Sequence, residues 1–496
     1  MLKQRFLVQF ISKFGIKILG VLAGLIVARV AGPEVVGIIA FGTAYVSIWG
    51  FITGLFGTGH IKLISEGHSL KDCVATYSWL QGGSILAYFL FVSGFYFVQK
   101  IFFQGAFESR THEIVIFLLL LANVAEQILN FGNVTFTAKL EQFKANYPLI
   151  LKAVLYQAGR IIVVLLGMRA IALASVNLLS TLLAVPLAWS ILKRLEFGRF
   201  NRELFIQHRN YAIPVFLIVL INSVLEYSDK LILAHFADTT ELGYYSAAFS
   251  IGGIFLLIST SAGTVFFPLF SSLIAQRNWL LVNHKIRAFQ KFLVRCIFPL
   301  ICLLCIIGSP LITTLIGEQY LPSVQPFKIL LFASYLSVVG IPFSNIISGM
   351  GRFYLSVVIN LVCLVVYLVS IYLLTNPEYF GLGAVGIAIN LLILNAVRNS
   401  LYLFTSWRIG EIELANSSFL PYLVISLVSV PFLMYETTFS QFFALWWLVI
   451  GPVYLLLVYS LLYMFGLFTR QDFEQLLEVI SFRRLLRYVL DEMRNR

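Results

Sequence analysis

Charge is scarce in this chain. Charged residues are only 12% of its 496 residues, about half the roughly 25% of an ordinary globular protein. With 59% hydrophobic residues and a mean hydropathy of +0.90, too little polar surface exists to cover a soluble core of this size. Cysteine is scarce too, at five residues, which excludes a disulfide framework. Cys302 and Cys305 form a C-x-x-C inside an apolar run with no His or acid nearby, so they read as small apolar filler rather than a metal or redox pair. Phosphate-loop and H-E-x-x-H motifs are missing, and the longest polar connections, 193–211 and 267–290, run to only about 20 residues. A soluble catalytic domain therefore has no room, and a membrane-embedded glycan enzyme, either polymerase or glycosyltransferase, lacks its long external loop. Lys3, Arg5, Lys13 and Lys17 interrupt the first apolar stretch, so it reads as an uncleaved span rather than a signal peptide.

What the chain has is long apolar runs. Windows of about 20 residues, the length of helix that crosses a bilayer, fall at 14–32, 36–58, 77–98, 113–133, 147–167, 170–192, 212–236, 242–266, 291–316, 326–348, 353–375, 382–404, 419–437 and 443–467. The expected fold is thus all-α and integral to a membrane, with about fourteen transmembrane helices. Ala31-Gly32-Pro33-Glu34 separates the first two by a tight turn. The net charge of +12 orients the spans. Counting connections alternately, and with them Lys291, Arg295 and Arg398 at the adjoining span ends, 26 of the 35 Lys and Arg fall on the side of the two termini. The positive-inside rule makes that side cytoplasmic, so the excess needs no nucleic-acid partner. The segment Gln471–Leu490 has amphipathic spacing suited to the cytoplasmic lipid surface or to packing on the loops.

A shift of 206 residues aligns Leu25–Gly37 with Leu231–Gly243 without a gap, and five of the thirteen positions are identical. The offset spans six helices, an even number, so the copies share one orientation. Parallel repeats of this kind characterise transporters that alternate access between two bundles. The expected organisation is a six-helix bundle over 1–209, its repeat over 210–410, two further helices over 411–468 and a cytoplasmic tail over 469–496, with the bundles around a central cavity.

The stretch Asp229-Lys230-Leu231-Ile232-Leu233-Ala234-His235-Phe236, continuing to Leu242-Gly243-Tyr244-Tyr245-Ser246-Ala247-Ala248, resembles the seventh-to-eighth helix signature of Wzx-type polysaccharide and O-antigen flippases. These form the polysaccharide branch of the multidrug/oligosaccharidyl-lipid/polysaccharide exporter superfamily. Leu25–Gly37 is similar to the family's first hairpin, with Ala31 in place of the usual Leu. Ser348–Arg352 and Gly383–Ala388 resemble the turn between helices ten and eleven and the start of helix twelve. The resemblance implies a flippase of the bacterial inner membrane. It would move an undecaprenyl-diphosphate-linked oligosaccharide to the external leaflet, with H+ or Na+ as coupling ion and a polysaccharide polymerase and chain-length machinery as partners. A cation-coupled multidrug antiporter of the same superfamily is the nearest alternative.

Ionisable groups within spans are costly and should face a polar interior. Lys152, Tyr156 and Arg160 lie at i, i+4 and i+8 of the fifth span and form one polar stripe. Arg160 is too deep to snorkel, and Glu126 of the fourth span stands at similar depth as its expected partner. Lys17, near the cytoplasmic end of the first span, either snorkels or joins the same lining. Glu226 and Lys230 are i, i+4 on the seventh span, with Asp229 beside them. They read either as a self-neutralising pair or as ion-coupling groups. The cationic lining is thus expected from Arg160, Lys152, Lys17 and Lys230 with Tyr156, and ion coupling from Glu126, Glu226 and Asp229. Arg and Lys suit the diphosphate of a lipid-linked glycan, and Tyr156, Tyr227, Tyr244 and Tyr245 are the aromatics placed to stack on sugars.

Overall fold

The described residues of the apolar windows are almost all helical, and the described residues contain no strand. The computed structural model describes residues 2–102, 107–410, 412, 419–434 and 446–469, so the amphipathic segment Gln471–Leu490 lies outside the described residues. In chain order the helices are α1 (Leu2–Ser47), a 3-10 segment (Ile48–Ile52), α2 (Gly57–Ser65), α3 (Leu70–Phe102), α4 (Arg110–Ala138), α5 (Gln142–Leu165), α6 (Ala170–Leu192), α7 (Arg202–Phe236) and α8 (Thr239–Gly252). They continue as α9 (Leu256–Ala275), α10 (Trp279–Phe292), α11 (Phe298–Ile306), α12 (Gly308–Ile316), α13 (Val324–Val339), α14 (Ile341–Gly349), α15 (Phe353–Thr375), α16 (Gly383–Ile409), α17 (Phe419–Met434) and α18 (Trp446–Met464). The chain divides into two compact units, Met1–Ala247 and Ala248–Arg496.

The exposed faces identify the solvent. On α15, Ile359, Cys363, Tyr367 and Ile371 are buried at four-residue spacing, while Val358, Val362, Val365 and Val369 stand exposed on the other side. A water-facing helix carries polar residues there; an apolar outer face matches lipid. The chain is a multi-pass membrane protein.

Ten of the described helices are long and apolar enough to span a membrane, or eleven if the two parts of α7, bent by 46° between Ile213 and Val215, count as one. The difference from fourteen windows comes from one merger, one break and the window 419–437, which extends past the described residues. The first two windows run together as Gly15–Ile52, and the window 242–266 is interrupted at Gly252-Gly253, between α8 and α9. Within α1 the expected turn is present as a kink: Gly32 has φ 84° and ψ 169°, outside the helical region, followed by Pro33. Three cations assigned to cytoplasmic connections by the sequence stand inside helical segments: Lys291 in α10, Arg295 in the π-helical turn Leu293–Ile297, and Arg398 in α16.

Within the first unit, small residues bring helices close, as membrane packing requires. Ala184 and Ala188 of α6 pack on Leu129 of α4. A Cβ on Gly159 of α5 would lie 2.6 Å from Val176 of α6. The tightest approach joins the turns picked out by the repeat. A Cβ on Gly37 would lie 1.7 Å from the Thr239 carbonyl oxygen, and one on Gly243 would lie 1.9 Å from that of Pro33. The shift that maps Gly37 onto Gly243 also maps Pro33 onto Thr239, so the contact is reciprocal.

The second unit uses side-chain hydrogen bonds across helices. Asn395 of α16 donates to the Ala333 carbonyl at 3.0 Å, and Ser406 to that of Phe343 at 3.2 Å. All five cysteines are buried free thiols, with Cys302 and Cys305 inside α11.

Candidate functional site

The polar groups of the first unit gather around α5. Gln157 is buried, and it meets α1 at Gly20, where a Cβ would stand 3.5 Å from its amide nitrogen. Arg160 donates to the Gln157 side-chain oxygen at 2.9 Å, and its guanidinium lies 5.2 Å from the Tyr156 ring centroid. That combination fixes a planar cation on an aromatic face. Among the described residues, no carboxylate lies within ion-pair distance of Arg160.

Glu126, the partner expected for Arg160, pairs with Lys152 at 2.7 Å. The two basic side chains are two turns apart, and the α4 carboxylate meets the one opposite it. Lys152 and Glu126 are largely enclosed, with side-chain exposures of 13% and 29%. Glu126 also stands within electrostatic reach of Tyr88 and Tyr227. Tyr227 in turn lies within hydrogen-bonding reach of Glu226 and Ser47. Thus α3, α4, α5 and α7 bring Tyr88, Glu126, Lys152, Tyr227 and Glu226 into one neighbourhood.

Further along α7, Lys230 reaches both oxygens of the Asp229 carboxylate, at 3.0 and 3.3 Å, and the backbone carbonyl of Glu226 at 3.0 Å. Asp229 is buried and also accepts from the Tyr245 hydroxyl at 2.6 Å. An enclosed carboxylate needs such partners. Its neutralisation by Lys230 alters the expected i, i+4 arrangement, in which Glu226 was the counter-charge. Tyr245 is fully buried and holds Asp229 in place rather than offering a face for stacking. Lys17 is exposed on α1, one turn before Gly20, and makes no ion pair among the described residues.

Two features escaped the sequence reading. Arg398, counted with a loop, is half-buried within α16 and donates to the Asn395 side chain. His60, His208 and Tyr77 stack in the interior, with His60 and Tyr77 centroids 4.1 Å apart. Burial pushes the His60 imidazole, on α2 outside the long spans, down to about 3, and neighbouring His208 adds to the effect. It is therefore neutral at physiological pH, with its Nε2 3.2 Å from the Thr135 hydroxyl.

Residues 26–325 match the family model described as polysaccharide biosynthesis protein. The chain belongs to that family. Among curated proteins, none matches the sequence significantly. Solved structures give the fold of this polysaccharide biosynthesis protein. One is described as lipid II flippase MurJ in an inward closed conformation, with a TM-score of 0.68 at 17% identity over 92% of this chain and 99% of that one. A multidrug resistance MATE family transporter of the MOP superfamily matches in its inward-facing conformation, with a TM-score of 0.63 at 15% identity over 79% of this chain and 94% of that one. An outward-facing MATE structure matches at 0.52, with 16% identity over 82% and 95%. The resemblance read from the helix-turn motifs is borne out at family and fold level.

Proposed function

We propose that this family member is a flippase. Its cargo is an undecaprenyl-diphosphate-linked oligosaccharide, an O-antigen or capsule/exopolysaccharide repeat unit. It carries that cargo by alternating access from the cytoplasmic to the external leaflet of a bacterial inner membrane, with both termini cytoplasmic. The observation that carries the reading is Arg160, an intramembrane cation oriented by Gln157 and Tyr156 with no acidic partner among the described residues. A guanidinium held this way presents its fork to a planar or tetrahedral anion, which the diphosphate supplies. A cationic drug, the cargo of the antiporter alternative, would be repelled.

Lys152 and Lys17 extend the cationic lining, and Tyr156 adds an aromatic face. Lys230 is committed to Asp229 and has a weaker case. For ion coupling, Asp229 is held by Lys230 and Tyr245, whereas Glu226 is exposed and Glu126 has one cationic partner, so these two carboxylates are the better H+ or Na+ sites. The reciprocal contact of Gly37 and Gly243 supports the division into two six-helix repeats, 1–209 and 210–410, with two helices beyond. A polysaccharide polymerase would take the exported unit.

The test is deletion in a strain without a second flippase, with the accumulated lipid identified by mass spectrometry. Lipid-linked oligosaccharide should remain facing the cytoplasm and surface glycan should disappear; intact surface glycan would sink the proposal. Among variants that insert normally, Arg160→Ala should impair surface glycan more than Arg160→Lys. Full activity in both would make Arg160 a structural residue.

A further inference from the structure

The first unit holds a second polar and aromatic site that the α5 stripe does not use. A cavity of about 540 Å³ opens where α3 ends, α4 begins and α7 ends, against the second part of α1. Its volume lies in the range of small-molecule sites, roughly 300–1,000 Å³. Three of its aromatics, Phe41, Tyr45 and Trp49, recur every four residues along α1 and the 3-10 segment that follows. Trp49 meets Phe95 edge-on with centroids 5.1 Å apart, Tyr45 meets Phe107 at 5.9 Å, and Phe41 meets His112 at 5.6 Å.

Polar groups interrupt these rings. The Tyr45 hydroxyl donates to the Gln99 side-chain oxygen at 2.7 Å. Glu108 accepts the Thr239 backbone N–H at 3.1 Å and also the Thr239 hydroxyl. His112 is 4% exposed and lines the cavity. Its Nδ1 is 2.9 Å from the Ser109 hydroxyl, but its Nε2 has no hydrogen-bond partner among the described residues, and the Glu108 carboxylate is 3.7 Å away. A buried ring nitrogen left unpaired is costly, and a ligand bearing hydroxyls would satisfy it.

Flat apolar faces beside hydrogen-bonding groups match a pyranose, whose C–H faces pack on aromatic rings while its hydroxyls bond both donors and acceptors. An organic cation would also be drawn to aromatic rings. Against it, a quaternary ammonium has no hydrogen bond to exchange with His112 Nε2, whereas a pyranose hydroxyl can donate or accept one.

We propose that this cavity is a glycan subsite: Trp49 and Phe95 pack against a ring face of a neutral pyranose, and His112 Nε2 bonds one of its hydroxyls. The assignment rests on the flippase reading for the source of the sugar, the translocated oligosaccharide. In the proposed orientation the cavity stands near the external ends of α3 and α7, on the side where the glycan leaves.

The direct test uses the full chain in lipid nanodiscs and titrates it with the methyl glycosides of glucose, galactose and N-acetylglucosamine, with tetraphenylphosphonium as the cationic comparator. At least one glycoside should bind saturably. Trp49→Ala and His112→Gln should weaken it by roughly tenfold or more, while Leu183→Ala, on the exposed face of α6, should leave it unchanged. Melting and size-exclusion profiles screen the variants for folding, and Gln99→Leu replaces either one that fails. No saturable glycoside binding, binding equal to wild type in the pocket variants, or binding of tetraphenylphosphonium alone would each overturn the subsite. A cellular arm separates this claim from the transport claim. Where deletion abolishes surface glycan, so that the flippase reading stands, full surface glycan from the folded Trp49→Ala/His112→Gln double variant would overturn the subsite alone.

Discussion

Lys152 and Arg160 occupy the same stripe of α5, yet one is paired with Glu126 and the other rests on Gln157 and Tyr156. Removing the lysine charge would leave Glu126 enclosed without its partner, so Lys152→Met should destabilise more than the double variant Lys152→Met/Glu126→Gln. A double-mutant cycle read from thermal melting in detergent should give a coupling of about 1–3 kcal/mol. Additive effects would show that the 2.7 Å pair contributes nothing. The stripe itself was legible, because spacing of four places residues on one helix face. The pairing was not, since it depends on how α4 and α5 are rotated and offset against each other. The same limit applies on α7, where the sequence favours Glu226 for Lys230, but burial of Asp229 draws the cation to its neighbour. The aromatic pocket was equally hidden: Phe41, Tyr45 and Trp49 at helical spacing look like ordinary packing until Gln99, Glu108 and His112 arrive from other helices.

At the scale of elements, composition settled helix and lipid, and turn residues settled where α1 breaks. Gly32 supplies the positive φ that the kink requires. What hydropathy averaging passed over were interruptions within apolar runs, such as Gly252-Gly253, and cations such as Arg398 that a helix carries internally. The turn contact offers a clear test. Because a Cβ on Gly37 would meet backbone at 1.7 Å, no side-chain rotation relieves Gly37→Ala, and the turns must separate. We expect a loss of about 1–3 kcal/mol, the range for overpacking, for this variant and a similar one for Gly243→Ala. Melting temperatures check both, with Gly24→Ala, which meets nothing within 4 Å, as the neutral comparison. Equal behaviour of all three would mean that the close approach is absent in the membrane.

At the scale of the whole chain, the bias of Lys and Arg predicts topology. Reporter fusions at the N-terminus and after Arg496 should both report cytoplasm, whereas a reporter inserted after Gly167, between α5 and α6, should report the external side. An external terminus would reverse the orientation on which the direction of transport depends. Fold and family were readable because both are written in long patterns of apolarity and turns. The site was readable only as a roster of charges, because its geometry is made by contacts among helices distant in sequence. The reciprocal contact of the two glycine turns carries a further consequence. Two equivalent surfaces meeting in this way are what a self-pairing ancestor makes about a two-fold axis. In such an ancestor one codon served both sides, and every substitution was felt twice. On the proposed duplication, fusion released the copies to differ, so that one turn holds Pro33 and the other Thr239. Proline has no N–H to donate, and it is the Thr239 N–H that Glu108 receives. On that proposal, the pocket's acid is anchored at a position where the two halves have diverged.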